Sequence, residues 1–161
     1  MGSFTLGVSY GFHDSAICLI DSNEKIAFAA QEERFSRIKI DEAFPMRAMA
    51  KACETLDITL NDITSAGFYE IPITKAARII QYSHSSPYKI LENRLKKDEF
   101  FTNPELALKR FLPKCADVKC FPHHLSHAGS VLIGCKKKSI AIVIDGVGEF
   151  ASTSIWKHEN R

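Results

Sequence analysis

Residues 121–128 read Phe-Pro-His-His-Leu-Ser-His-Ala, and no other stretch restricts the folding of this chain as strongly. Pro122 suits the first turn of a helix, where its missing N–H costs nothing. A helix starting there sets His123 and His127 at i and i+4, one above the other on a single face. That spacing lets two imidazoles reach one metal ion. His124 and His127 are also neighbours, at i and i+3. The plainer alternative is a polar helix start with ordinary histidines, and three histidines within five positions beside a proline weigh against it. A fold built around this helix must then bring a third ligand from elsewhere in the chain.

The chain has 161 residues, enough for one domain with a real core, and a formal net charge of +2. So small a charge makes no electrostatic case for a nucleic-acid partner. No apolar run approaches the roughly 20 residues of a membrane helix. The first residues lead straight into a strand pattern without a basic region, so no signal peptide is expected. The five cysteines are odd in number and scattered, and read as reduced core thiols of a cytoplasmic protein. Cys115 and Cys120 lack the second pair that a structural zinc site needs.

Period-two patterns predict strands at residues 4–9, 15–21 and 25–31, with Asp21-Ser22-Asn23-Glu24 as a hairpin turn between the last two. The opening is thus an antiparallel meander whose first turn gathers Gly11, His13, Asp14 and Ser15. Residues 32–39 are too charged for core and too short for an independent element. A helix follows over 46–56, rich in helix formers, and then a strand over 64–69. Residues 74–81, 88–101 and 104–112 read as helices, and 73–113 as a helical insertion. A short strand over 117–121 leads into the histidine helix, 122–134. Residues 139–144 form the most β-branched strand and read as buried. They run into Asp145-Gly146-Val147-Gly148-Glu149 and a last strand over 151–157. The pattern is mixed α/β. The second strand–turn–strand unit echoes the first, which suggests an internal duplication.

Asp145 stands at the end of a strand, and its carboxylate is a natural third ligand to His123 and His127. Two histidines plus one carboxylate suit iron(II) or zinc with positions left open for substrate. Gly146 and Gly148 let backbone N–H groups approach a ligand, although a plain hairpin turn would use Asp-Gly too. His13 and Asp14 read in two ways. Either Asp14 and Ser15 satisfy backbone groups of the turn, or His13 contacts a phosphate or serves as acid and base. Arg34, Arg37 and Lys39 suit an anion clamp, with Glu32 and Glu33 orienting them; a solvated charged edge is the plainer alternative.

Five stretches in this order carry a family resemblance. They are residues 7–16 with His13-Asp14-Ser15-Ala16, residues 32–39, Phe44-Pro45, residues 123–128, and Asp145-Gly146-Val147-Gly148-Glu149. The chain resembles the N-terminal part of the O-carbamoyltransferases of nodulation and antibiotic tailoring. The resemblance implies an α/β half of the actin/Hsp70/sugar-kinase-like, ribonuclease-H-like fold: a mixed five-stranded sheet with helices, plus the first strands of a duplicated half. It is similar to the universal tRNA threonylcarbamoyltransferase. It implies transfer of a carbamoyl group from carbamoyl-adenylate, made from carbamoyl phosphate and ATP, to a hydroxyl of a small molecule. Iron, or zinc, is implied at His123, His127 and Asp145. His13, with Asp14, is implied near the transferred group, and Gly146, Gly148 and Glu149 on the nucleotide side. A C-terminal synthase-like activating domain with its own Mg is implied downstream.

The family usually has a histidine after Arg-x-Lys, where this chain has Ile40. The expected division is a first half over 1–138 and the start of a second half over 139–161, with the rest of that half beyond the chain. Two other readings compete with carbamoyl transfer. One is a threonylcarbamoyl- or phosphoryl-transferring relative of the same fold. The other is a non-catalytic fragment that pairs with a partner, which as a half-fold exposes apolar surface and forms homo-oligomers.

Overall fold

The structure, a computed structural model, describes residues 2–82, 86, 103–132, 134–135, 137–146 and 148–159. The chain divides into two compact units, Met1–Phe68 with Glu99–Lys119, and Tyr69–Asp98 with Cys120–Arg161. The expected helix over 88–101 lies outside the described residues.

The first unit is organised by a five-stranded sheet in the order β3-β2-β1-β4-β5. β1 (Phe4–Ser9) pairs antiparallel with β2 (Ala16–Ile20), which pairs antiparallel with β3 (Ile26–Gln31). β4 (Ile63–Phe68) lies parallel to β1, and β5 (Asp117–Cys120) follows β4. The register sets Leu6 opposite Leu19 and Val8 opposite Ile17, all buried. A one-residue slip would turn these side chains to the other face, so burial specifies the pairing. Asp21 closes the turn before β3 by accepting from the N–H groups of Asn23 and Lys25 at 2.8 and 2.9 Å.

Helix α1 (Glu33–Ser36) is a single turn, and α2 (Met46–Leu56) buries Ala48, Met49 and Ala52. After α2 a short 3-10 turn, Leu60–Asp62, leads into β4. The Asp62 carboxylate steadies it by accepting from Thr59 N–H and Oγ1 at 2.8 and 2.9 Å.

The start of α2 corrects the expected role of Glu32. Pro45 at its N-cap has no side chain able to accept a bond. Glu32 supplies the acceptors instead, taking the Arg47 and Ala48 N–H groups on Oε1 and Oε2 at 3.1 and 2.8 Å. It is only 3% exposed. A carboxylate at a helix N-terminus satisfies otherwise orphaned donors and complements the helix dipole. Glu32 is therefore core and a cap for α2, where a partner for the nearby cations was expected.

In the second unit, α3 (Pro72–Tyr82) covers the expected helix over 74–81; α4 (Pro104–Phe111), in the first unit, is capped by Asn103, whose side chain accepts from Leu106 N–H. α5 (His123–Leu132) precedes an antiparallel hairpin of β6 (Ser139–Ile144) and β7 (Thr153–His158). Ala128 of α5 packs on Ala141 and Val143 of β6, with Leu132 and Trp156 around them. The small side chain at 128 allows a close approach of helix to sheet. β6 was expected to be buried, and only one face of it is. Ile140, Ile142 and Ile144, with Ile155 of β7, are 64–80% exposed. The reason is period-two geometry: α5 covers one side of the hairpin, and alternate residues point to the other. Among the described residues, no helix is long and apolar enough to cross a membrane.

Candidate metal centre

The histidine helix begins one residue later than expected, at His123, and Ser126 N–H donates to Pro122 C=O at 3.0 Å. Pro122, without an N–H, thus contributes the first accepting carbonyl of the helix. Asp145 follows β6 directly, and its N–H donates to Ser152 C=O at 2.9 Å, which extends the hairpin's pairing by one residue. His123 and His127 share one helix face, as their spacing predicts, and the Asp145 side chain converges on them. His123 Nε2 lies 2.7 Å from Asp145 Oδ2 and 3.1 Å from His127 Nε2. His127 Nε2 lies 3.8 Å from the same carboxylate oxygen.

These atoms fit a metal ion on two grounds. All three donors lie within 4.8 Å of one another. Ligands bound at about 2.0–2.2 Å in a tetrahedron stand about 3.3–3.6 Å apart, so small adjustments suffice. The second ground is proton count. His123 Nε2 faces both other atoms, and a ring nitrogen carries at most one proton, so hydrogen bonds cannot satisfy all three pairings among these atoms. A cation at their centre would. Burial pushes the His127 imidazole below its ordinary pKa, the facing His123 adds to this, and Asp145 opposes it. The net effect favours the neutral ring, the form that ligates.

The neighbours of the centre are specific. Tyr69 places its ring edge-on to His123 at 5.6 Å, and its C=O accepts from Ser126 Oγ at 3.0 Å. His124 points away from the centre: it is buried, and its Nδ1 pairs with Ser154 Oγ at 2.7 Å, which also accepts from Trp156 Nε1. A Cβ at Gly148 would stand 2.5 Å from His124 Nε2 and would overlap the Ala151 carbonyl, so this position needs glycine for packing. Gly146 has open space around it. The Glu149 carboxylate accepts from Ile71 N–H at 2.6 Å.

Sequence reasoning missed Glu70, Lys75 and Arg78. Lys75 Nζ bonds both Glu70 oxygens at 2.6 and 2.8 Å, both residues are buried, and the ammonium lies 6.0 Å from the Tyr69 ring centre. Arg78 Nη1 donates to Gly148 C=O. The available signal was two cations three apart in an otherwise apolar helical stretch.

In the first unit, His13 Nδ1 pairs with Asp14 Oδ2 at 2.9 Å on the surface. Their turn has Gly11 and Asp14 at positive φ, 88° and 48°. It is anchored by Gly11 N–H to Glu42 C=O and Ser15 N–H to Asp41 C=O, both 2.8 Å. Arg34 and Lys39 group around Glu33 at 3.6 and 3.8 Å, and Arg37 caps α1 in the left-handed conformation.

The family profile described as carbamoyltransferase N-terminus matches residues 5–161. The chain belongs to the carbamoyltransferase N-terminal family. This carbamoyltransferase domain is 31% identical over 164 residues to the uncharacterized protein sll1178 of Synechocystis sp., covering 94% of the chain and 26% of that protein. It is 31% identical over 148 residues to Nodulation protein NolNO of Sinorhizobium fredii, covering 87% of the chain and 20% of that protein. It therefore spans between a fifth and about a quarter of the length of these relatives. The family match takes in all three converging side chains.

Proposed function

We propose that this domain transfers a carbamoyl group from carbamoyl-adenylate to a hydroxyl of a small molecule at an iron(II) or zinc centre held by His123, His127 and Asp145. The convergence of those three donors within 4.8 Å carries the reading. The strand order β3-β2-β1-β4-β5, with β1 and β4 parallel, supports an actin/Hsp70/sugar-kinase-like half, with the β6–β7 hairpin opening the duplicated half. Carbamoyl-adenylate comes from carbamoyl phosphate and ATP on a Mg-dependent synthase-like domain in the longer protein. The protein is cytoplasmic in this reading.

When bound, the ion supplies Lewis acidity to a carbonyl oxygen. The chain's residues supply binding and proton transfer. The acceptor oxygen attacks the carbamoyl carbon, the carbon–oxygen bond to the adenylate phosphate breaks, and the phosphate leaves with the electron pair. The acceptor's proton goes to a general base, the role that the family resemblance implies for His13. Asp14 on Nδ1 orients that imidazole, which leaves Nε2 to take the proton. Open space around Gly146 suits a phosphate accepting from backbone N–H groups. Gly148 and Glu149 shape the same turn. Arg34, Arg37 and Lys39 offer cations to the anionic donor.

Metal analysis of the purified chain tests the reading. Stoichiometric iron or zinc in the wild type, lost in His123→Ala and in His127→Ala, is expected. No metal in the wild type after anaerobic iron(II) or zinc reconstitution would overturn it. The exposed isoleucines of the hairpin favour a second reading, a half-domain that pairs with another chain or another copy. A sharply melting monomer that binds no apolar dye would remove that reading.

A further inference from the structure

The three donors come from two elements: α5 carries His123 and His127, and the β6–β7 turn carries Asp145. The apolar contact between α5 and the hairpin, at Ala128, Ala141 and Val143, holds the strands but not the turn beyond them. One short segment bonds to both elements. At its start, Tyr69 C=O accepts from Ser126 Oγ, whose residue lies between the two histidines on α5, and the Tyr69 ring rests against His123. Further on, Ile71 N–H donates to the Glu149 carboxylate. At its far end, Arg78 donates to Gly148 C=O.

The segment is itself locked. The buried Glu70–Lys75 pair ties its first residues to the first turn of α3. A buried ion pair is weak evidence for stability, because desolvation offsets the attraction, but its bidentate geometry restricts where both residues lie. Ile71 also caps α3, since its C=O accepts from the N–H groups of Thr74 and Lys75. The Glu149 carboxylate therefore bonds the N-cap N–H of an 11-residue helix, as the distal carboxylate of a capping box does.

We propose that residues 69–78 are a splint between the two metal-bearing elements, and that Glu149 and Arg78 are positioning residues that hold Asp145 against His123. The metal part of this rests on reading His123, His127 and Asp145 as a metal centre. The splint assigns Glu149 an acceptor role in holding the turn, distinct from contact with a nucleotide.

The test compares wild type with Glu149→Ala, Glu149→Gln and Arg78→Ala. Zinc affinity is measured by chelator competition. The metal-free protein is also followed by the imidazole nitrogen resonances of His123, which report the bond to Asp145, and the fold by far-UV circular dichroism. Loss of an outer support around a metal costs roughly 10–100-fold in affinity. Both alanine variants are expected to lose that much and to lose the His123–Asp145 signature with the fold intact. Glu149→Gln keeps an acceptor oxygen and stays within a few-fold of wild type. Alanine variants with wild-type zinc affinity and an unchanged signature would overturn the splint, as would a Gln variant as weak as the Ala variant. A wild type that binds neither zinc nor iron(II), yet shows the signature and loses it in the alanine variants, would refute the metal centre and uphold the splint. Should Arg78→Ala fail to fold, Arg78→Gln takes its place under the same criteria.

Discussion

Asp145 Oδ2 lies 2.7 Å from His123 Nε2 although 22 residues separate them in sequence. The strand that precedes Asp145 packs its Ala141 and Val143 on Ala128, little more than one helical turn beyond His123. A short carboxylate–imidazole contact beside a second imidazole at 3.1 Å is a strong test point. Asp145→Asn keeps the size and removes the charge. On the proposed reading of Asp145 as a metal ligand, zinc affinity is expected to fall by about 100-fold or more, since a ligand contributes at least as much as the outer supports whose loss costs up to that amount. Chelator competition on the folded variant reads this directly.

His127 should give the centre a pH dependence of known sign. Its folded pKa is lowered below the ordinary value of 6.5, chiefly by burial. Between the lowered value and 6.5 the unfolded chain binds more protons than the folded one, so stability rises with pH across that window. It is level above the window and is lost as pH falls through it. The ring is 53% exposed, so the slope is shallow. Metal affinity should fall on acidification through the same range, because protons compete for the imidazole. Melting curves and zinc titrations from about pH 5 to 8, where histidine changes charge, will show both trends. His127→Ala should remove its contribution to the stability slope.

Glu32→Ala leaves the Arg47 and Ala48 N–H groups without their acceptors at a buried helix start. The expected cost is about 2 kcal/mol, from loss of a cap and of charge-assisted bonds. A lower denaturation midpoint with unchanged denaturant slope is the expected result. Glu32→Gln retains one acceptor oxygen and should recover part of the loss.

Ile40 has φ of 56°, a left-handed conformation that a β-branched side chain adopts only under strain, and it is 63% exposed. Ile40→Asn should stabilise the chain by about 1 kcal/mol, because the left-handed penalty is relieved while little buried area is lost. Urea denaturation of the two proteins side by side checks it. A destabilised Asn variant would mean that the isoleucine side chain contributes more than its backbone costs.

Strands β1 to β4 and helix α2 were readable to within a residue or two, because local alternation and helix-former content agree with the final burial. The turn at Asp21 was readable for a local reason as well, since its carboxylate bonds donors only two and four residues on. Glu32 was misread because its donors lie 15 and 16 residues away, and nothing near it marks it as buried. The exposed isoleucines of β6 were misread because composition reports apolarity and not which face is covered. Lys75 and Arg78 went unseen because charges on a helix ordinarily face water, as does a charge in the bend before it such as Glu70, and only their packing shows otherwise.

The sequence by itself determined the elements and the residue types placed at their ends. A proline before a helix, histidines one turn apart and an aspartate at a strand end are local statements, written in periods of 3.6 and 2. Tertiary structure alone decided that Asp145 meets His123, that Glu149 and Arg78 hold the turn between them, and that Glu32 is core. Those facts depend on which surfaces exclude water together, and burial is a property of the packed chain, set by residues far apart in sequence.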